Sequence, residues 1–67
     1  MNSKIVKAHC YSPEDQVYCV TGKVLRVFDT NGSGDLIPVS FQRDVEFKNQ
    51  FSLESFAYGQ IYAEISN

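Results

Sequence analysis

His9, Cys10 and Cys19 carry the nitrogen and sulfur groups that chemistry most often uses. A zinc site needs three or four N or S ligands, usually in paired short spacings, and one His-Cys step with a distant Cys does not supply them. Neighbouring strand residues also point to opposite faces, so His9 and Cys10 diverge. Nucleophilic catalysis by either thiol with His9 would need a third orienting group and an oxyanion site on a scaffold with little concave room. Asp44 and Glu46 stand two apart, where an acid–base pair would have to sit, but the solvated polar face of a strand accounts for them more simply. No glycine-rich phosphate loop precedes a helix. The expectation is a protein that is not an enzyme, without metal or cofactor, holding two buried, reduced thiols. A disulfide would require Cys10 and Cys19 to face each other across a hairpin.

Calcium is the other chemistry to weigh. Asp29, Asn31 and Ser33 fall at the first, third and fifth positions of a sequence that resembles an EF-hand loop, with Gly34 at the sixth and Leu36 at the eighth. The twelfth position should hold a bidentate Glu and is Ser40 here, Pro38 intrudes, and both flanks read as strands. Asn, Gly, Ser and Asp are also what a β-hairpin loop is made of, and the segment is read that way.

What is left is surface recognition. Arg26 and Phe28 are two apart and share a strand face, and Lys23, Arg43 and Lys48 fall where neighbouring strands could bring them alongside. Tyr18 and Tyr62 are further rings. Single-stranded nucleic acid is held by such a mixture, its bases stacking on rings while cations track the backbone. The binding residues expected on this reading are Lys23, Arg26, Phe28 and Arg43. The alternative uses the opposite charge. Glu14, Asp15, Asp44, Glu46 and Glu54 would steer the chain onto a basic protein surface, including one built for nucleic acid. That describes a small inhibitor or adaptor of a host protein, of the sort encoded by phages and other mobile elements.

The elements that must position these residues are mainly strands. Five Phe and four Tyr, with many β-branched residues, sit in short runs between turn residues. The runs are Ile5 to Tyr11, a long strand from Gln16 to Asp29 that bends or bulges at Gly22, and an alternating strand from Leu36 to Phe47. Ser12-Pro13-Glu14-Asp15 is a turn, and Thr30 to Asp35 is the clearest loop. In the alternating strand only Arg43 breaks the inward set, which marks a bulge or a strand end. Ser52 is a good helix N-cap, with Phe51 and Phe56 placed as a hydrophobic staple and Gly59 where a helix would end. A short helix followed by a terminal strand from Gln60 to Ile65 is therefore expected, the alternative being one helix from Leu53 to Ile65 that carries Gly59 in its interior.

A chain of 67 residues holds one domain, spanning 1–67, with a core that is marginal for its size. Hydrophobic residues at 43% and charged ones at 21% are those of a globule rather than a disordered tail. Six Lys and Arg against eight Asp and Glu give a net charge of −2, without the basic excess of a duplex-DNA binder. No apolar run approaches the roughly 20 residues that span a bilayer, and the first residues lack a signal-peptide pattern. A soluble, cytoplasmic chain with no membrane partner is expected. Nine rings exceed what one small core encloses, which predicts a homodimer.

The order of elements resembles that of OB-fold domains. Val20-Thr21-Gly22-Lys23-Val24-Leu25-Arg26-Val27 is followed by the glycine-rich hairpin, by Ile37-Pro38-Val39-Ser40-Phe41, by the short helix, and by Phe56-Ala57-Tyr58-Gly59-Gln60-Ile61-Tyr62. The segment is also loosely similar to the small single-stranded-DNA-binding proteins of filamentous phages. The resemblance spans about residues 16 to 65 and lacks a counterpart of the family's fifth strand unless Ile5 to Tyr11 supplies it. It implies a small antiparallel β-barrel, OB-like or SH3-like, with one short helix and a strand face that binds single-stranded nucleic acid.

Overall fold

A computed structural model describes residues 2–44, 49–54 and 59–66. The strands in these residues are β1 (Ser3–Lys7), β2 (His9–Ser12), β3 (Val17–Cys19), β4 (Lys23–Thr30), β5 (Leu36–Pro38), β6 (Phe41–Arg43), β7 (Gln50–Leu53) and β8 (Ile61–Ser66). They form two antiparallel four-stranded sheets, ordered β1-β8-β4-β5 and β2-β3-β7-β6. The fold is mainly β. Among the described residues neither sheet closes on itself, so the barrel implied by the resemblance is replaced by two facing sheets.

Three runs of chain serve both sheets in turn, and each changes sheet at a residue suited to a corner. The first changes at Ala8, a small buried residue whose N–H donates to the Ile61 carbonyl at 2.8 Å. The second changes between β3 and β4 at Gly22, where φ is +125°. A Cβ there would lie 3.1 Å from Ile65 Cδ1, so glycine answers both the backbone conformation and the close approach. The third changes between β5 and β6 at Val39 and Ser40, so the described part of the strand expected from Leu36 to Phe47 is two short ones, the second ending at Arg43, and 45–47 lie outside the described residues. The expected bend at Gly22 is present, and a separate bulge follows it. Val24 pairs with Ile65 and Arg26 with Glu64, which leaves Leu25 as the extra residue.

The core lies between the sheets. Phe51, Ile61, Ala63 and Val27 are each at most 1% exposed, and Val24, Ile65, Val20, Leu53 and Ala8 complete the cluster. Phe51 is at its centre, stacked on Tyr18 at 6.0 Å and edge-on to Phe41 at 5.7 Å. Burial pushes the Tyr18 phenol above its ordinary value, with Cys10 and Asp29 adding to the rise.

The described residues contain no helix. Ser52 and Leu53, expected to start one, belong to β7, where buried Phe51 and Leu53 alternate with half-buried Gln50 and Ser52. Residues 55–58, the rest of that expectation, lie outside the described residues. Gly59 has a different use: its N–H donates to Asp29 Oδ1 at 3.2 Å, and a Cβ on it would meet the Thr30 carbonyl at 3.2 Å. No described helix is long and apolar enough to cross a membrane.

Candidate nucleic-acid interface

Side chains alternate along β8, with Ile61, Ala63 and Ile65 buried and Tyr62, Glu64 and Ser66 on the outer face. The ladder carries that face across the sheet. Ile5, Glu64 and Arg26 form one row, and Lys7, Tyr62, Phe28 and Pro38 form the next. Lys23 pairs with Ser66 and belongs to the same face. Lys23 and Arg26 are three apart, a spacing that puts strand residues on opposite faces. The bulge at Leu25 cancels that offset.

On this face the Arg26 Nε donates to Glu64 Oε1 at 2.6 Å, and Ser3 Oγ donates to Glu64 Oε2 at 3.2 Å. The hydrogen bond from Arg26 holds the Glu64 carboxyl below the usual carboxylate range and raises the guanidinium in turn. The guanidinium sits 5.4 Å from the centre of the Phe28 ring. Phe28 is 7% exposed and lies outside the core cluster, on the outer side of the sheet. Its ring is thus not the free platform that the sequence suggested. The Arg26 side chain, 66% exposed, lies on the solvent side of that ring.

Arg43 is on the other sheet. It pairs with Phe51 in register, its guanidinium lies 5.9 Å from the Phe41 ring, and its Nη2 donates to the Val24 carbonyl beside the bulge. The cation that broke the inward pattern therefore ties β6 to β4 and is not part of the basic face. Lys7, which sequence reasoning did not select, takes its place on that face. Tyr62 joins as expected, Tyr18 packs inside, and Lys48 lies outside the described residues.

The acidic residues divide as well. Glu14 and Asp15 occupy the turn after β2, where Ser12 Oγ donates to Asp15 Oδ2 at 3.3 Å. Glu54 adjoins that turn, because the Leu53 N–H donates to the Gln16 carbonyl at 3.1 Å. Asp44 is beyond β6, its N–H donating to the Gln50 carbonyl, so it does not join them. Glu46 lies outside the described residues.

The hairpin reading of residues 30 to 35 fits the local geometry. Asn31 Oδ1 accepts from the Ser33 and Asp35 amides at 2.9 and 3.0 Å. Asp29, first in the calcium-like pattern, is instead 3% exposed and accepts from the Thr30 and Gly59 amides. Cys10 faces Tyr18 across the β2–β3 ladder while Cys19 faces His9, so the thiols are one step out of register and free. Cys10 is exposed, not buried as expected. Comparison with family models, with curated proteins and with solved structures gives no match.

Proposed function

We propose that this chain is a non-enzymatic module that binds single-stranded nucleic acid on the outer face of the β1-β8-β4-β5 sheet. The observation that carries the reading is the Leu25 bulge, which puts Lys23, Arg26 and Phe28 on one face beside Lys7 and Tyr62. Lys7 and Lys23 meet the phosphates. Arg26, held near Phe28 by its hydrogen bond to Glu64, offers its guanidinium to a base, a role arginine fills in single-strand recognition. The test is fluorescence anisotropy of a labelled oligodeoxythymidine at low and at moderate salt. Micromolar binding that weakens with salt is expected, and no binding at micromolar protein in low salt contradicts the proposal.

A second reading rests on Glu14 and Asp15 in the turn after β2 and on Glu54 just past the end of β7, which is hydrogen-bonded to that turn at Gln16. On this reading the acidic end docks on a basic protein surface of a host. Charge-reversed variants at these three positions would lose a stoichiometric partner recovered with the wild-type chain, and equal recovery would dismiss it. Self-association belongs with either reading. Tyr11 is 61% exposed, and Ile5, Leu25, Leu36 and Ile37 are each at least 40% exposed. Sedimentation at high micromolar concentration should show a dimer, and a monomer there contradicts the idea.

A further inference from the structure

Where β1 turns into β2 and β3 turns into β4, the two corners leave a cleft of about 300 Å³ between the sheets. Val6, Val20 and Ile65 form its apolar floor. Lys4, Lys7, His9 and Thr21 stand around it. In a chain of net charge −2, no carboxylate is among these lining residues. Gly22 fixes the shape of this end, because its bare α-carbon lets the corner rest against Ile65. Lys4 pairs with Ile65 on the inner side of the sheet, whereas Lys7 pairs with Tyr62 on the outer side, yet both line the cleft. Lys7 is therefore shared between the cleft and the basic–aromatic face.

We propose that this cleft holds the phosphorylated end of the strand, a nucleoside 5′-monophosphate unit, an inference that rests on the reading of the outer face given above. The terminal phosphate is a dianion near neutral pH, unlike the monoanionic diesters within the strand. Two ammonium groups and a hydroxyl provide donors for it, and ammonium is a common phosphate partner. The sugar and base lie on Val6, Val20 and Ile65, in a space at the lower end of the size of small-molecule sites. A strand crossing Tyr62 and Arg26 reaches the cleft over Lys7.

The test compares 5′-phosphorylated and 5′-hydroxyl oligodeoxythymidine of equal length on the wild-type chain and on Lys4→Gln, which leaves the outer face intact. The phosphorylated strand is expected to bind about tenfold more tightly to wild type. Lys4→Gln should erase that difference while leaving the affinity for the hydroxyl strand unchanged. Equal affinities in wild type, or a difference that survives Lys4→Gln, overturn the inference and leave the outer-face reading standing. If neither strand binds, the outer-face reading fails, and amide shifts with thymidine 5′-monophosphate, thymidine and inorganic phosphate decide the cleft. Shifts at Val6 and Thr21 with the monophosphate, weaker with phosphate and absent with thymidine, support it. No shift with the monophosphate overturns it.

Discussion

The guanidinium of Arg26 lies 5.4 Å from the centre of the Phe28 ring, on the outside of a sheet whose inner side is the core. Glu64 holds the same guanidinium from the side at 2.6 Å. A cation that is fixed in orientation and still mostly exposed is the feature on which the proposed binding face depends.

Arg26 and Glu64 should therefore have opposite effects on oligonucleotide binding. Arg26→Ala is expected to weaken binding about tenfold, in the range of a lost stacking contact. Arg26→Lys keeps the charge without the plane and should recover only part of that loss. Glu64→Gln keeps a side-chain oxygen to accept from the Arg26 Nε but removes a competing anion, and should tighten binding. Anisotropy titrations of the three variants at one salt concentration check this, and tighter binding by Arg26→Ala would reverse the assignment.

The number of phosphates engaged is readable from salt. Lys7 and Lys23 are the cations that meet phosphates, and two contacts on a single strand give a slope of log K against log salt of about −1.4. Lys7→Gln and Lys23→Gln should each flatten that slope by about 0.7. Arg43→Gln should leave it unchanged, because Arg43 is turned to the Val24 carbonyl on the far side of the sheet.

Stability should fall at both ends of the pH scale for separate reasons. The folded Glu64 carboxyl titrates below its ordinary value of 4.5, so its contribution is present above that pH and is lost as pH falls through the folded value. The melting temperatures of wild type and Glu64→Gln should converge as pH falls through that folded value. The folded Tyr18 phenol titrates above its ordinary value of 10.0, so its contribution is complete below pH 10.0 and is lost as pH rises toward the folded value. Tyr18→Phe should remove that alkaline loss. Parallel melting curves for wild type and variant across either range would contradict the assignment.

Three substitutions test what holds the sheets together. Phe51→Ala empties the centre of the core and should cost about 3–5 kcal/mol, enough to unfold most molecules of a chain this small. Gly22→Ala forces a side chain into a left-handed corner against Ile65 and should cost about 1–3 kcal/mol. Arg43→Met keeps the stem and leaves the Val24 carbonyl without this donor, at about 1–2 kcal/mol. Urea unfolding measures all three, and wild-type stability of Gly22→Ala would remove the corner from the description.

The bend at Gly22 and the loop around Asn31 were legible in the residues because each needs a local backbone conformation that few side chains permit. The bulge at Leu25 was not. Val24, Leu25 and Val27 are all apolar, so hydrophobic alternation fits either register, and only pairing with Ile65 and Glu64 decides it. The cap signal at Ser52 lost to the burial of Phe51 and Leu53, a tertiary gain that local propensity does not contain. Arg43 stood out as an anomaly in the inward pattern, but its partner, the Val24 carbonyl, is nineteen residues away and on the other sheet. The basic face was half visible for the same reason. Arg26 and Phe28 share one strand, whereas Lys7 and Tyr62 come from strands at opposite ends of the chain.

The most direct test is a titration of the ¹⁵N-labelled protein with oligodeoxythymidine at low salt, following backbone amides residue by residue. Shifts are predicted at Lys7, Lys23, Arg26, Tyr62 and Glu64, with Gln42, Ser52 and Cys19 on the other sheet unmoved. Absence of shifts, or shifts gathered at Glu14, Asp15 and Glu54, would contradict a binding face built on the Leu25 bulge.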